Sequence, residues 1–379
     1  MVTGWKKAKI GELTDIVNGG TPSTAIAEYW NGGINWCTPS DITKKKTKYL
    51  SNTEKTITEK GLSESSASLL PIGTILLCSR ATIGEMSIAA SEMATNQGFK
   101  NLICKKDVDN EFLYYALFPL RNKMLELAIG TTFLEISKSA LQSIEVIIPA
   151  DIIEQTAIAG ALSDVDSLIS SLQKLIEKKK AIKQGSMQEL LTGQKRLPGF
   201  YKEWRIVQIG ETLSIGHGQS QKTVENRFGK YPILATGGCI GYANDFLWDK
   251  PSVLIGRKGT IDKPQYADYP FWTIDTLFYT KIFDGYDAKF IYYKFCMIDW
   301  QQYNEASGVP SLNATTIENL QIIVPEKDEQ QAIAQLLSDI DSEIEQLEKK
   351  LVKYQQIKQG MMQELLTGRI RLKEGEKNA

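Results

Sequence analysis

This sequence of 379 residues has a single histidine, no closely spaced cysteines and no excess of charge of either sign. The five cysteines stand far apart without a CxxC pair, which argues against a disulfide framework or a zinc site and favours a reducing compartment. Lysine and arginine number 44 against 45 aspartates and glutamates, for a net charge of −1. A protein that binds nucleic acid alone usually has a basic excess. DNA binding would therefore need local basic patches or a basic partner.

The motifs of catalysis and of membrane insertion are also missing. The sequence has no GxxxxGK[ST] loop, no Asn/Asp-Pro-Pro-aromatic tetrapeptide, and no Gly-rich turn or carboxylate cluster suited to a cofactor or metal ion. The one histidine, His217, lies in a Gly-His-Gly loop that suits hydrogen bonding better than acid–base catalysis. The longest apolar runs are far too short to span a bilayer, and the first residues do not resemble a signal peptide. We therefore expect a cytoplasmic, non-enzymatic protein without cofactor or metal.

One long segment of the sequence occurs twice. The stretch EQTAIAGALSDVDSLISSL, from Glu154, recurs without a gap as EQQAIAQLLSDIDSEIEQL, from Glu329, 175 residues later. Both copies continue to QELLTG, ending at Gly193 and Gly368. About 27 of the 44 aligned pairs are identical, far more than chance would produce. The chain is therefore built from two copies of one plan.

Each copy of this segment predicts one long helix. In the second copy, apolar residues recur every seven residues from Ile333 to Met361, and a second series from Leu337 to Leu365 is interrupted only at Lys358. The first copy has the same pattern but becomes more polar in its later half. These are the a and d positions of a coiled coil about 38 residues or roughly 57 Å long. Two matched seams favour an antiparallel intramolecular pair; a solvent-exposed strut and a zipper between chains are the alternatives.

The segments before the two helices resemble each other more faintly. Trp5 recurs as Trp204, and FLYY at 112–115 recurs as FIYY at 290–293. The runs TILLCS, EVIIP, SVLIG, TLFYT and LQIIVP predict strands between Gly-rich turns, while FLYYAL and FIYYKF predict helices. The two segments share this frame but differ in their polar loop residues. That pattern suggests one scaffold reading two different targets, although drift after duplication would look the same.

The predicted fold class is α+β. We expect two mixed α/β domains separated by two long helices, which form an antiparallel intramolecular coiled coil with pseudo-twofold symmetry. The first domain is placed at 1–150, the central helical repeat and linker at 151–199, the second domain at 200–325, and the C-terminal helical repeat and tail at 326–379.

Together these features resemble the DNA specificity subunit of type I restriction–modification systems, over essentially the whole chain. The most specific pieces are the paired EQ…AIA…LSD-D blocks, the QELLTG endings, the GGTPS opening at 19–23 and the GFYKEW that ends at Trp204. The resemblance implies a non-catalytic subunit whose two target-recognition domains each read one half of a bipartite, asymmetric DNA sequence. It also implies that the helices set the spacing between the halves and dock two modification (adenine methyltransferase) subunits, which restriction-translocase subunits can join.

Two other interpretations of the chain stay open. A duplicated coiled-coil scaffold could organise other proteins without reading DNA. A fused single-chain restriction enzyme ranks last, because methyltransferase and nuclease motifs are missing.

Residues that read bases are expected to be polar and to lie on loops beside the strands. In the first domain the candidates are Thr21, Ser23, Ser40, Asp41, Arg80, Asn96 and Gln97, with Lys44, Lys45, Lys46 and the nearby Lys48 as a phosphate clamp. In the second domain they are His217, Gln219, Ser220, Gln221, Lys222, Thr236, Arg257, Lys258, Thr273 and Asp275. A solvated loop is the alternative for the lysines, and a salt bridge at a strand end is the alternative for Arg80 and Arg257.

Five pairs of identical residues in the helical repeats lie outside the seam and have no evident packing role. They are Gln155, Ser163, Asp164, Gln188 and Glu189, with their counterparts Gln330, Ser338, Asp339, Gln363 and Glu364. A protein partner bound to both repeats would explain their identity, as would recent duplication.

Overall fold

A computed structural model of the chain describes residues 2–45, 47–130 and 134–372. These residues form two compact units. The first contains the residues up to Ser171 together with those from Leu351 onward, and the second contains Leu172–Lys350. Each unit combines one of the globular segments with part of each long helix.

The globular part of the first unit is built mainly from short strands. They are β1 (Trp5–Lys9), β2 (Thr14–Asn18), β3 (Trp30–Cys37), β4 (Tyr49–Leu50), β5 (Lys55–Ile57), β6 (Ile75–Cys78), β7 (Met86–Ala89), β8 (Met93–Thr95), β9 (Phe99–Cys104) and β10 (Glu145–Pro149). The helices are α1 (Ile10–Leu13), α2 (Pro39–Lys45), α3 (Glu59–Ser63), α4 (Asn110–Leu117), α5 (Arg121–Glu126) and α6 (Lys138–Ser143), with 3-10 turns at Ala27–Tyr29 and Phe118–Leu120. Asp109 caps α4 by accepting a hydrogen bond from the Phe112 amide at 2.8 Å.

These strands form two mixed sheets and a separate ribbon. The larger sheet has the order β2-β9-β6-β7-β4, and the smaller has the order β5-β3-β8. The pairs β4–β7 and β3–β8 are parallel, and the others are antiparallel. β1 and β10 form an antiparallel ribbon in which Trp5 lies opposite Pro149. All of β6 is buried, which explains why its sequence ILLC does not alternate with polar residues.

The chain leaves this domain through α7 (Ile152–Leu191) and builds the globular part of the second unit on a similar plan. Its strands are β11 (Arg205–Gln208), β12 (Leu213–His217), β13 (Tyr231–Ala235), β14 (Gly238–Ala243), β15 (Ser252–Gly256), β16 (Gln265–Ala267), β17 (Trp272–Thr273), β18 (Leu277–Ile282) and β19 (Gln321–Val324). Its helices are α8 (Ala288–Met297) and α9 (Ala314–Asn319), with 3-10 turns at Ile209–Glu211, Gln221–Thr223 and Trp300–Tyr303. The last long helix, α10 (Lys327–Leu365), follows.

The sheets of the second unit correspond to those of the first. A four-stranded antiparallel sheet has the order β12-β18-β15-β16, and a three-stranded sheet has the order β14-β13-β17 with β13 and β17 parallel. β11 and β19 form the antiparallel ribbon. All five predicted strand segments are confirmed as β6, β10, β15, β18 and β19, and the two predicted helical segments lie in α4 and α8.

The long helices α7 and α10 contain 40 and 39 residues, which confirms the helices predicted from the heptads. In the first unit, the beginning of α7 (Ile158 and Leu162) shares a core with Leu365, the last residue of α10, and with Leu366 after it. The two helix segments therefore run antiparallel there. No helix in the described residues has an apolar stretch long enough to cross a bilayer.

The second unit contains the complementary halves of the helices. The end of α7 packs with the beginning of α10, and the ion pairs Lys180–Glu348 and Lys183–Asp341, both 2.6 Å, again require antiparallel directions. The predicted fold class, with two mixed α/β domains and antiparallel long helices, is confirmed within each unit.

Candidate nucleic-acid interface

Loops that carry candidate residues of the first domain meet beside the parallel strands β3 and β8. The Gly20 amide donates to the Thr95 carbonyl at 2.8 Å, and the Asn96 amide donates to the Cys37 carbonyl at 2.9 Å. A Cβ at Gly19 would lie 1.8 Å from the Asn96 carbonyl oxygen, so this approach of the GGTPS loop requires glycine. The loops at 19–23, 38–41 and 95–98 are therefore held at one edge of the domain.

The turn that contains Arg80 reaches the same edge. The Ser79 amide donates to the Gly98 carbonyl at 2.7 Å, and the Arg80 backbone forms a bridge with Glu135. Arg80 is half-buried.

Several first-domain candidates present polar atoms from these loops. The Thr21 hydroxyl donates to the side-chain oxygen of Gln97. Gln97, Ser23 and Ser40 are all exposed. Asn96 is half-buried, and its side-chain oxygen accepts from the Gly98 amide at 2.9 Å.

The structure corrects the prediction for Asp41. Its side chain is only 4% exposed and accepts hydrogen bonds from the Thr38 amide, the Thr38 hydroxyl and the Glu54 amide at 2.7–2.9 Å. Asp41 therefore holds the loop and its helix together, and its buried carboxylate is not placed to read a base.

The lysine cluster divides into different environments. Lys44 and Lys45 are exposed at the end of α2, where Lys44 lies 3.4 Å from Glu54 and Lys45 donates to the Asn52 carbonyl. Lys46 lies outside the described residues. The inclusion of Lys48 in a phosphate clamp is wrong, because its ammonium pairs with Glu111 and lies 4.8 Å from the centre of the Tyr115 ring.

The second domain repeats the same loop frame with different residues. The Gln219 amide donates to the Thr273 carbonyl at 2.8 Å, and the Ile274 amide donates to the Leu234 carbonyl at 3.2 Å, beside the parallel strands β13 and β17. A Cβ at Gly218 would lie 1.9 Å from the Ile274 carbonyl oxygen. Both domains therefore use a glycine to bring the first loop against the backbone after a short parallel strand.

Basic candidates lie at the edge of this frame. The Arg257 amide donates to the Thr276 carbonyl at 2.8 Å, and its guanidinium donates to the carbonyl of Asp275 at 3.3 Å. His217, Arg257 and Lys258 line one small cleft of about 270 Å³, where the His217 and Phe278 rings are perpendicular with their centres 5.0 Å apart.

The remaining second-domain candidates differ in accessibility. Gln219, Ser220, Lys222, Lys258 and Asp275 are exposed, whereas Gln221, Thr236 and Arg257 are half-buried. Thr273 is fully buried, so the prediction that it contacts DNA is wrong. In the described ranges, no cluster of three or more His, Cys, Asp or Glu side chains is arranged to hold a metal ion.

Where each domain meets the helices, both units repeat the same contacts. Glu154 accepts hydrogen bonds from Arg371 and from the Trp5 indole in the first unit. Glu329, its counterpart, accepts the same hydrogen bonds from Arg196 and Trp204 in the second unit. Trp5 and Trp204 each contact a phenylalanine of their own domain, with ring centres 6.4 Å apart and an interplanar angle of 74°.

A tyrosine, an aspartate and a lysine form a second repeated contact. In the first unit, the Tyr115 hydroxyl donates to Asp166 at 2.7 Å, and Lys358 pairs with Asp166 at 2.7 Å. In the second unit, Tyr293, Asp341 and Lys183 form the same arrangement at 2.8 and 2.6 Å. Lys358, the exception in the heptad pattern, is therefore accommodated at the seam because its charge is paired with Asp166 on α7.

One pair of predicted partner-binding residues has a packing role instead. Gln155 and Gln330 are fully buried, and their side-chain oxygens accept from the Asp109 and Asp287 amides at 2.9 Å. The premise that these identical residues lack a packing role is therefore wrong for Gln155 and Gln330.

Ser163 and Ser338 are half-buried and are also used within the chain. Ser163 donates to Glu111 at 2.8 Å, and Ser338 lies 3.3 Å from the Tyr293 hydroxyl. The other predicted residues are exposed or, for Glu364, half-buried. They are Asp164, Gln188, Glu189, Asp339, Gln363 and Glu364.

The duplicated architecture has a match among protein families. A family model described as "Type I restriction modification DNA specificity domain" matches residues 3–184 and again 201–358. The chain belongs to this family. Both copies of the domain are present, and each match extends from a globular segment into the long helix that follows it.

Relatives and solved structures of the family agree along nearly the full length. The MjaIX specificity subunit of Methanocaldococcus jannaschii is 28% identical, over 98% of this chain and 94% of that protein. The EcoprrI specificity subunit of Escherichia coli is 22% identical, over 88% of this chain and 86% of that protein. The crystal structure of the type I S subunit from M. genitalium has a TM-score of 0.68 at 19% identity, covering 95% of this chain and 96% of that one.

One exposed feature of this family member was missed from the sequence. Phe228 is 89% exposed on a turn between Asn226 and Gly229, where the Gly229 amide donates to the Asn226 carbonyl at 2.8 Å. Arg227 and Lys230, beside it, are exposed. An aromatic residue between two basic ones in a Gly-containing turn was the available signal.

Proposed function

We propose that this chain is the DNA-reading subunit of a type I restriction–modification complex. Each globular domain reads one half of a bipartite, asymmetric target. The two helices set the spacing between the halves and dock two adenine methyltransferase subunits, through which restriction subunits join. The chain contributes no catalytic group of its own, and it works in the cytoplasm.

The observation that carries this proposal is that the two domains hold their loops with the same backbone hydrogen bonds but present different side chains on them. The Gly20 amide donates to the Thr95 carbonyl in the first domain, as the Gln219 amide donates to the Thr273 carbonyl in the second, both at 2.8 Å. The exposed loop residues nevertheless differ, with Ser40 and Gln97 in one domain and Lys258 among those of the other. A common backbone with different polar groups is suited to reading different bases in equivalent orientations.

The polar groups also differ in the bases that they suit. Gln97 offers a donor and an acceptor that can form two hydrogen bonds with adenine. Arg257 offers paired donors that suit guanine. The two half-sites are therefore expected to differ in sequence, so that the target is asymmetric.

The residues of the proposed partner surface are identical in the two helical repeats, whereas the residues of the DNA-reading loops differ between the two domains. Asp164 and Gln188 on α7, and their counterparts Asp339 and Gln363 on α10, are identical and exposed. Two copies of one partner can bind two equivalent surfaces of a duplicated chain. These partners can also contribute phosphate contacts, which suits a reader with a net charge of −1.

Adenine methylation mapped across a bacterial genome tests this proposal. The chain is expressed with its methyltransferase subunit in a host that lacks adenine methylation, and every methylated adenine is located. We expect methylation at one split, asymmetric motif with a fixed spacer. The methyltransferase subunit expressed alone is the control and should leave the genome unmethylated.

Two outcomes would contradict the proposal. Methylation without sequence preference would mean that the domains do not read DNA. Binding of the methyltransferase without methylation would favour the coiled-coil scaffold that organises proteins but reads no sequence.

A further inference from the structure

The first unit has an open groove between its globular domain and the end of α10. The groove has a volume of about 750 Å³ and is lined by Ala116, Val146 and Leu366, among others. Phe118 and Ile147 also line it and remain 37% and 45% exposed. Apolar surface of this kind is therefore left in contact with solvent within a concave site.

In the second unit, a lysine of the chain itself occupies the corresponding place. The paired FLYY and FIYY segments align Ala116 with Lys294, and the paired LLTG ends align Leu366 with Leu191. Lys294 is only 9% exposed, and its Nζ donates to the Leu191 carbonyl at 3.0 Å. In the second unit, the Lys294 side chain fills the space between position 294 and Leu191. The corresponding space in the first unit, between Ala116 and Leu366, is part of the open groove.

The chemistry of the filled site indicates what the open site accepts. The Leu191 carbonyl lies at the C-terminal end of α7, where the helix dipole favours a positive charge. In the described part of the first unit, the corresponding carbonyl of Leu366 accepts no hydrogen bond. An ammonium group on an apolar stem would satisfy this carbonyl while its methylene groups cover the apolar wall.

Lys358, which lies in the groove, does not prevent a second ammonium group from binding there. Lys358 lines the groove, but its ammonium pairs with Asp166 at 2.7 Å. Lys183 pairs with Asp341 at 2.6 Å at the equivalent position of the second unit, which also holds Lys294. A second lysine is therefore compatible with this site when the first is paired.

We propose that the groove of the first unit receives a lysine side chain of the docked methyltransferase subunit. The proposal rests on the proposed function, because that subunit must bind the helices. The groove is larger than one lysine side chain, so apolar neighbours of the lysine cover Phe118 and Ile147. The two docking sites then differ: one copy inserts its lysine, and the other copy meets a place already filled by Lys294.

Lysine acetylation, followed by mass spectrometry, tests the proposal on the complex of the full chain with its methyltransferase subunits. In the wild-type complex, one lysine of the methyltransferase is expected to lose about half of its labelling, because only one of two copies inserts it. Ala116→Lys fills the groove and should restore labelling to the level of the free subunit. Lys294→Ala opens the second place and should reduce labelling further, towards complete protection.

Matched variants separate occupancy from folding. Ala116→Ser keeps the groove open and should retain half-protection, whereas Ala116→Gln fills it without a charge and should restore labelling. Each variant is first checked for the wild-type unfolding midpoint and for two bound methyltransferase subunits by native mass spectrometry. If Ala116→Lys fails this check, Ala116→Gln decides the result.

The possible failures are distinguishable. If the wild-type chain binds no methyltransferase, the proposed function is overturned. The other failure is that two copies bind, but no methyltransferase lysine is half-labelled in the wild type, fully labelled in Ala116→Lys and almost unlabelled in Lys294→Ala. That result would overturn only the proposal that the groove receives a lysine. Stabilisation of the chain alone by 1,5-diaminopentane, lost in Ala116→Lys, would support the inference that the groove accepts an ammonium group on an apolar stem.

Discussion

Arg371 holds the carboxylate of Glu154 through two hydrogen bonds, from Nε at 2.8 Å and from Nη2 at 2.6 Å. Glu154 is only 7% exposed, so the arginine compensates a charge that burial disfavours. Arg196 holds Glu329 in the same way in the second unit, at 2.6 and 2.7 Å. The residues that follow each LLTG thus secure a globular domain to the start of a long helix within each unit.

Replacing Arg371 with alanine is expected to lower the unfolding midpoint by several degrees, measured by calorimetry. The change leaves the buried carboxylate of Glu154 with the Trp5 indole as its remaining side-chain donor in the described residues. Arg369→Ala is the control, because Arg369 forms a more exposed pair with Glu364 at 3.5 Å. Equal shifts for the two variants would show that the Glu154 contact has no special role.

Tyr115→Phe is expected to reduce the free energy of unfolding by about 1–3 kcal/mol, because it removes a hydrogen bond to the charged Asp166. Tyr293→Phe should have a similar effect, since Tyr293 donates to Asp341. Urea denaturation measures both changes. Tyr114→Phe is the control, as no hydrogen bond of its hydroxyl is found in the described residues. An effect of Tyr114→Phe as large as the others would contradict this explanation.

The helices were predictable from sequence because their periodicity is local. Apolar residues every seven positions specify which face is buried, and Ile333, Leu337 and Leu365 are indeed buried. The strands were predictable for a similar reason, since short β-branched runs between Gly-rich turns carry their own signal. Lys358 stood out as an exception to the seam, but its partner Asp166 lies far away in the sequence.

The candidate site was less predictable because burial within a loop depends on tertiary contacts. Asp41 and Thr273 have the polar character of base-reading residues, yet the fold buries both. Gln155 looked free because its partners, the Asp109 amide and the Pro149 carbonyl, belong to the backbone of the domain. Backbone groups carry no sequence signal, so only the structure could reveal this contact.

The difference in stability between the wild type and Lys294→Met is expected to depend on pH. Burial lowers the pKa of Lys294 to about 8, below the value of about 10.4 expected in the unfolded chain. Between these values the unfolded chain binds more protons, so the wild type gains stability relative to Lys294→Met as pH rises from 8 to 10. The gain is at most about 1.4 kcal/mol per pH unit.

Urea denaturation at several pH values measures this difference. Lys294→Arg is the matched control, because a guanidinium stays charged throughout this range and its stability relative to Lys294→Met should change little. A wild type that loses stability relative to Lys294→Met above pH 8 would contradict the assignment.

Arg257→Ala is expected to alter recognition of one half-site only. If its guanidinium forms two bonds to a guanine, the loss should be about 1–3 kcal/mol for the preferred base, with other bases affected less. Methylation rates on duplexes with single base changes in each half measure this effect. Gln97→Ala is the reciprocal variant and should alter only the other half-site. Weaker recognition of both halves by Arg257→Ala would indicate damage to the fold instead of loss of a base contact.

Lengthening both long helices is expected to lengthen the DNA spacer. Leu190 and Leu191, at the end of α7, are packed in the core of the second unit, so an insertion there would disrupt that core. We therefore place four residues after Gln173 in α7 and four after Lys350 in α10, where both residues are exposed. Four helical residues add about 6 Å, which corresponds to one or two base pairs at about 3.4 Å each.

Genome-wide methylation mapping of this double insertion should find both half-sequences unchanged and the spacer longer by one or two base pairs. An insertion in α7 alone is the control. It shifts one helix against the other, so the antiparallel ion pairs of the second unit, such as Lys183–Asp341, lose their register and methylation should fall. A double insertion that methylates the original spacer at the wild-type rate would show that the helices do not set the distance between the half-sites.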